Sequence, residues 1–302
     1  MNNKSKYFKK YWQLYAMMLL PIIYFIVFKY IPLFGNILAF RKYSPGGSPF
    51  GTEWRDFFYF KMFLTDPNFI RAFKNTLVIS LLNIIVNFPI PIIFAILLNE
   101  LKNVHFKKFV QTVSYMPRFI STVVVVSILT DLLSPSSGIV NMLLTRHFGI
   151  EPIYFMNDPA YTRFIYIFTE TWQFTGWTAI IYLAAITGIS EELFEAARID
   201  GANKFQEMKY ITIPCLLPTI MVMLILNIGR LLSVGFEKVL LLYTPQNAAV
   251  IDVIDTFVYR IGMQEQNYSY ATAVGLFGGI IGLILVSSAN RFSRKFTGES
   301  IY

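Results

Sequence analysis

From Glu191 to Pro214 the chain reads EELFEAARIDGANKFQEMKYITIP, a charged island between two long apolar stretches, about Phe164 to Ile186 and Leu216 to Val234. Within it Glu195, Ala196, Ala197 and Gly201 are followed, after a polar stretch, by Ile211, Ile213 and Pro214. So many charges cannot stay in hydrocarbon, so the island lies at a membrane surface. That is where a membrane protein grips a soluble partner.

The apolar stretches on either side are part of a series. A membrane span needs about 20 mostly apolar residues, and six stretches qualify: approximately Leu14 to Leu33, Thr76 to Leu98, Val110 to Leu133, Phe164 to Ile186, Leu216 to Val234 and Ala271 to Ala289. Composition agrees. The 302 residues are 55% apolar, 17% aromatic and 15% charged, against roughly 25% charged in a soluble domain, and mean hydropathy is +0.52. The pattern predicts an all-α integral membrane protein with six transmembrane helices in a single domain, residues 1–302, with the island (190–214) between the fourth and fifth. No repeat, low-complexity tract or linker divides it. Pro21, Pro89, Pro91, Pro117 and Pro218 fall inside the stretches, where bundled membrane helices can satisfy the freed carbonyls locally. Met1 to Lys10 followed by an apolar run has the outline of a signal peptide, but no small-residue cleavage pattern follows, and it is read as an uncleaved first span.

A net charge of +8 raises nucleic acid as a partner, yet in so apolar a chain lysines that hold helix ends on the cytoplasmic side account for it. Lys4, Lys6, Lys9 and Lys10 precede the first span, Lys102, Lys107 and Lys108 fill the second connection, and Arg291, Arg294 and Lys295 follow the last. An even number of spans places all of these, both termini and the island on one side, the cytoplasm. The first outer connection runs against this with Arg41, Lys42, Arg55, Lys61, Arg71 and Lys74, but it is longer and the rule weakens with loop length. The same connection carries Trp54, Phe57, Phe58, Tyr59, Phe60 and Phe63, which fit either the headgroup zone or the docking of an external partner. The lone Cys215 excludes an intrachain disulfide, and with His105 and His147 alone beside it a metal site is a poor prospect.

The island itself predicts a short helix, Glu191 to Arg198, with Ser190 as its N-cap and Phe194 and Ala197 on one face. Gly201 then turns the chain into a second helix, Asn203 to Tyr210, and Ile213 and Pro214 open the fifth span. As a shape alone this admits two readings, a docking surface or an amphipathic connection charged outside and apolar inside.

The spacing goes further: Glu195-Ala196-Ala197, three residues, Gly201, nine residues, Ile211, one residue, Ile213-Pro214. It resembles the EAA signature of the permease subunits of binding-protein-dependent ABC importers, and Asp200 and Pro218 extend the fit. Trp12 to Lys29, Asn75 to Glu100, Gln111 to Val126, Gly176 to Ala185, Asp252 to Arg260 and Tyr268 to Phe277 are similar to carbohydrate permeases of the maltose-transporter type. Within that family the similarity is to the subfamily importing oligosaccharides derived from complex or acidic polysaccharides.

The resemblance implies that Glu195, Ala196, Ala197, Asp200 and Gly201 couple to a cytoplasmic ATPase dimer. It implies a second homologous permease, an extracytoplasmic solute-binding protein, and a bacterial cytoplasmic membrane as the location. The chain has no G-x-x-x-x-G-K-[ST] loop, so ATP and Mg are expected on the separate ATPase and no cofactor on this non-catalytic subunit.

Polar and aromatic residues inside spans mark a possible oligosaccharide path: Arg118; Glu170, Trp172, Gln173 and Trp177; Asn227 and Arg230. Each also fits a structural bond inside the bundle, and Arg118 could pair with Glu170. If the substrate is acidic, Arg118 or Arg230 is a natural partner for its carboxylate or sulfate. Two other classes compete, a gradient-driven secondary sugar transporter or channel, which has no reason to display the EAA spacing, and an integral membrane enzyme. For the latter there is no H-E-x-x-H or G-x-S-x-G, and Asp252 and Asp255 read as shaping a loop or meeting the binding protein.

Overall fold

The computed structural model describes residues 3–297 and is helical over most of their length. By its contacts the chain divides into two compact units, one made of the chain up to Thr65 with Val258–Phe277, the other of Asp66–Phe257 with the chain from Gly278.

In the first unit, α1 (Asn3–Phe25) continues through a π turn, Ile26–Tyr30, and a 3-10 run, Ile31–Phe40. Pro32 sits at the start of that run, where its missing N–H is least costly. Strands β1 (Arg41–Lys42) and β2 (Glu53–Trp54) pair antiparallel, and α2 (Phe58–Thr65) follows. Ser269 pins the hairpin, its hydroxyl donating to the Arg41 carbonyl and accepting from the Tyr43 N–H at 2.7 and 3.0 Å. The aromatic cluster has a buried and an exposed end, joined by Phe60, which meets Phe40, Phe57 and Phe63. Phe63 is buried against Tyr270 and Phe277 and Tyr59 is also buried, whereas Phe58 is exposed and so are Trp54 and Phe57, which stand against Phe40.

The second unit comprises α3 (Pro67–Asn87), α4 (Pro89–Asn99), α5 (Val104–Tyr115), α6 (Thr122–Leu132), α7 (Ile139–Phe148), α8 (Pro159–Thr187), α9 (Glu191–Ile199), α10 (Lys204–Glu207), α11 (Ile213–Gly229), α12 (Phe236–Leu242) and α13 (Ala248–Ile251). Helices α14 (Ile254–Tyr259) and α15 (Tyr268–Thr297) each contribute residues to both units. Two Asp-Pro pairs start long helices. Asp66 and Asp158 accept the N–H of Asn68 and Ala160 at 2.8 Å while Pro67 and Pro159 occupy the first turn. Helix α8 is the hub, packed against α3, α4, α5 and α11. It meets α5 at Gly176, where an added Cβ would lie 2.2 Å from the Ser114 carbonyl oxygen. Only glycine permits that approach.

Among the described residues, four helical runs are long and apolar enough to cross a membrane: Lys10–Phe40, Pro67–Asn99, Lys204–Gly229 and Tyr268–Lys295. Two bent pairs raise the number to as many as six, Val104–Phe119 with Thr122–Leu132 (98°) and Pro159–Thr187 with Glu191–Ile199 (68°). The protein is therefore an all-α membrane protein, and its spans differ from expectation in three places. The stretch Val110 to Leu133 is not one helix. Pro117 opens a 3-10 turn, Met116–Phe119, and Ser121 caps the next helix, its hydroxyl accepting from the Val124 N–H. The fifth run starts at Lys204, before Ile213 and Pro214, because a π turn at Met208–Thr212 carries the helix into the proline. It ends at Gly229, short of Val234, and Arg230 to Gly235 leave the helix.

Beyond Arg230 the chain folds back as α12, α13 and α14. Asn75 on α3 holds this segment, donating to the carbonyls of Ala249 and Asp252 at 3.0 Å and accepting from Arg163 of α8 at 2.8 Å. Arg163 also donates to the Val250 carbonyl. Asp252 is fully buried and accepts the Thr256 hydroxyl, so it shapes the loop.

Candidate functional site

The island is built by local chemistry. Helix α9 carries Glu191 and Glu192 in its first turn, where the helix dipole favours them. Ser190 has extended backbone angles but its hydroxyl makes no cap bond, contrary to expectation. At the other end the Ala202 N–H bonds the Ala197 carbonyl (2.9 Å) and the Gly201 N–H bonds the Arg198 carbonyl (3.1 Å). With Gly201 at φ +83 this is a Schellman cap, which satisfies carbonyls that would otherwise be orphaned. A Cβ on Gly201 would meet nothing within 4 Å, so the backbone angle alone calls for glycine.

The following helix is closed as firmly. Asn203 and Gln206 form a reciprocal capping box, Gln206 N–H to Asn203 Oδ1 at 3.0 Å and Asn203 N–H to Gln206 Oε1 at 2.8 Å. Between these two caps the chain has little freedom. Glu195, Ala196, Asp200 and Gly201 are exposed; Phe194 and Ala197 share the half-buried face. Behind α9 lies a cavity of about 370 Å³, bordered by Glu100, Lys102, Ile186, Phe194, Arg198 and Glu207.

The residues expected along a path through the bundle separate into two groups. Glu170, Asn227 and Arg230 line one cavity of about 180 Å³ together with Asn83, Asn87 and Ser233. The others lie outside it. Arg118 sits over the Phe174 ring at 5.0 Å, Trp177 meets Phe119 edge-on, and Trp172 is exposed. Gln173 is buried, donating to the Ile120 carbonyl at 2.9 Å, where the α5–α6 break leaves that oxygen free of helix bonds.

Arg118 does not pair with Glu170. Glu170 is taken by Lys238 of α12, whose ammonium also donates to Gln173 Oε1 at 3.0 Å and stands 5.4 Å from the Phe174 ring. Lys238 is 3% exposed, and a charge so placed requires a partner. In the sequence it was one lysine in a segment assigned to an outer loop. Asn83 and Asn87 were missed as well, although polar side chains four apart in a predicted span share one helix face. Glu207 carries no signal of its own in the sequence, where it is one more charge on a charged island. It is 3% exposed.

The family model described as binding-protein-dependent transport system inner membrane component matches residues 87–298. The polygalacturonan/rhamnogalacturonan transport system permease protein YteP of Bacillus subtilis (strain 168) is 45% identical over 96% of this chain and 90% of its own. Protein LplB of the same organism is 40% identical, over 96% and 91%. A crystal structure of a bacterial ABC transporter involved in the import of the acidic polysaccharide alginate superposes with TM-score 0.89 at 41% identity, covering 97% of this chain and 98% of that one. A second, of the alginate transporter in complex with alginate pentasaccharide-bound periplasmic protein, gives TM-score 0.90 at 40% identity, over 98% and 99%.

Proposed function

The chain belongs to the family of binding-protein-dependent transport system inner membrane components, and on that premise we propose how this ABC importer permease does its work. Together with a second, homologous permease it forms the path for an oligosaccharide carrying acidic units, delivered by an extracytoplasmic binding protein. ATP and Mg are bound by a separate cytoplasmic ATPase dimer. The termini and residues 190–214 face the cytoplasm, and both compact units serve one permease domain.

The observation that carries the coupling reading is the doubly capped island. Glu195 and Ala196 stand exposed on a helix whose exit is fixed by Gly201 and by the Asn203–Gln206 box. A small-residue face lets a partner's backbone approach, Glu195 adds a polar or ionic contact, and a stiff exit passes displacement on to α11. Closure of the ATPase dimer then biases the bundle between its inward-open and outward-open arrangements.

For the substrate, the cavity at Asn83, Asn87, Asn227 and Arg230 offers planar amides, which suit sugar hydroxyls, and a guanidinium, which suits a carboxylate or sulfate. The polygalacturonan/rhamnogalacturonan transport named for YteP and the acidic polysaccharide alginate named for the solved importer support the same class.

The test is ATP hydrolysis by the reconstituted complex, challenged with a panel of sugar-loaded binding proteins. Stimulation by acidic oligosaccharides and not by neutral ones is expected. Uptake that persists in vesicles without ATP or without an ATPase subunit would point instead to a gradient-driven carrier.

A further inference from the structure

We propose that Glu207 is a positioning residue for coupling, a buried carboxylate that locks the coupling helix α9 to α4 and α11, so that force on the island moves them together. This rests on the coupling role proposed for residues 195–201.

Helix α9 needs such a lock. It buries no side chain completely, and only Phe194 and Ala197 are partly covered. Contacts so slight would let the helix slide when pushed. Glu207, at the end of α10, is by contrast almost wholly enclosed. Its Oε1 accepts from Arg198 Nε at 3.0 Å and its Oε2 from Lys204 Nζ at 2.8 Å. Lys204 Nζ also stands 3.5 Å from Glu100 Oε2, at the end of α4. Four charges thus join the last turn of α9, the start of the Lys204–Gly229 run and the end of α4.

Physical chemistry makes this joint resist separation. A carboxylate out of water is tolerated only while its partners stay in place. Arg198 can leave with α9 only by abandoning half of Glu207's pairing, and its side chain is itself half exposed, so the pairing serves the carboxylate more than the arginine. The two caps on either side of residues 200–203 keep the connecting chain from absorbing the strain. Force on the island therefore reaches α11 through the ion pair and through the backbone, and reaches α4 through Lys204.

The experiment measures substrate imported per ATP hydrolysed in the complete importer, reconstituted with its ATPase and binding protein. Glu207→Gln keeps the shape and removes the charge; Arg198→Gln removes the partner on α9. We expect each to lower the ratio by about five-fold or more, the scale of a modest coupling free energy. The double variant should lose no more than either single, because both act on one interaction. Any other pattern overturns the proposal: an unchanged ratio in either single, additive losses, or falls in import and hydrolysis that track the amount of assembled complex. If Glu207→Gln does not assemble, Arg198→Gln decides alone, since it alters a half-exposed side chain. Gly201→Val and Glu195→Lys separate the two readings. If they import normally the coupling role of the island fails; if they uncouple while Arg198→Gln keeps its ratio, only the lock fails.

Discussion

Lys238 and Glu170 show what one buried charge costs and what it arranges. Their side chains are 4% and 19% exposed and form an ion pair between α12 and α8. Lys238→Met leaves Glu170 as an unpaired carboxylate and should lower stability by about 3–5 kcal/mol. Adding Glu170→Gln should restore most of that loss, because the stranded charge is gone. Thermal unfolding in detergent checks both. The pairing also frees Arg118 and Arg230 for separate fates. Arg230 lines the polar cavity, whereas Arg118 lies over Phe174. Arg230→Gln should therefore weaken uptake of acidic oligosaccharides by about ten-fold or more, the scale of losing one charge-assisted hydrogen bond pair, and spare neutral ones. Arg118→Gln should not discriminate between them; equal effects of the two variants on acidic uptake would remove Arg230 from the substrate path. The island was readable at this scale because its caps join residues fewer than seven apart, as in Ala197 to Ala202 and Asn203 to Gln206. Lys238 was not, since its partner lies 68 residues away and only the fold brings them together.

Helix boundaries obey different rules from those that mark apolar stretches. Hydropathy locates the residues that lipid can surround, and it placed every candidate crossing near its observed helix, except that it cannot see a change of direction. Pro117 stops α5 with a 3-10 turn and Ser121 restarts the chain as α6, although Val110 to Leu133 is apolar enough to read as one span. At Pro214 the error runs the other way. A proline in the first turn is a sound start signal, yet here the preceding π turn lets helix continue from Lys204. The polar residues of α10 lie outside the apolar stretch and still belong to the same helix. Crossing points between helices are equally hidden in a single chain. Gly176 is one: with 2.2 Å between a built Cβ and the Ser114 oxygen, even alanine must push α8 away from α5. Gly176→Ala should cost about 1–3 kcal/mol by overpacking, and Gly176→Leu should prevent assembly. Gly279→Ala, where a Cβ meets nothing within 4 Å, is the matched control and should be neutral or slightly stabilising. Unfolding midpoints of the two alanine variants, with the yield of folded Gly176→Leu, give the answer.

Charge arranges the whole molecule. The excess of lysine and arginine that gives +8 is gathered before the first span, at residues 102–108 and after the last, which is what retention on the cytoplasmic side requires. On the proposed orientation Glu195 and Asp200 lie beside the water from which an ATPase would act, and α7, with its exposed Met142 and Leu143, lies on the opposite face. The arginines and lysines between residues 41 and 74 are the largest group that dissents, with Arg146, Lys238 and Arg260 scattered in the other outer connections. That group lies in a long connection where the rule has little force, and Arg55 is neutralised by Glu53 at 2.6 Å. Orientation is thus a statement about both faces and can be tested on both. In a Cys215→Ser background, Asp200→Cys should react with a membrane-impermeant maleimide in inside-out vesicles and stay protected in intact cells. Thr145→Cys on α7 should show the reverse. Labelling of both positions from the same side would mean an even number of crossings between them. The bent pair of α8 and α9 would then not be a span, α8 turning back as a re-entrant segment, and labelling of both from outside would place the island on the outer face, where no ATP could drive it.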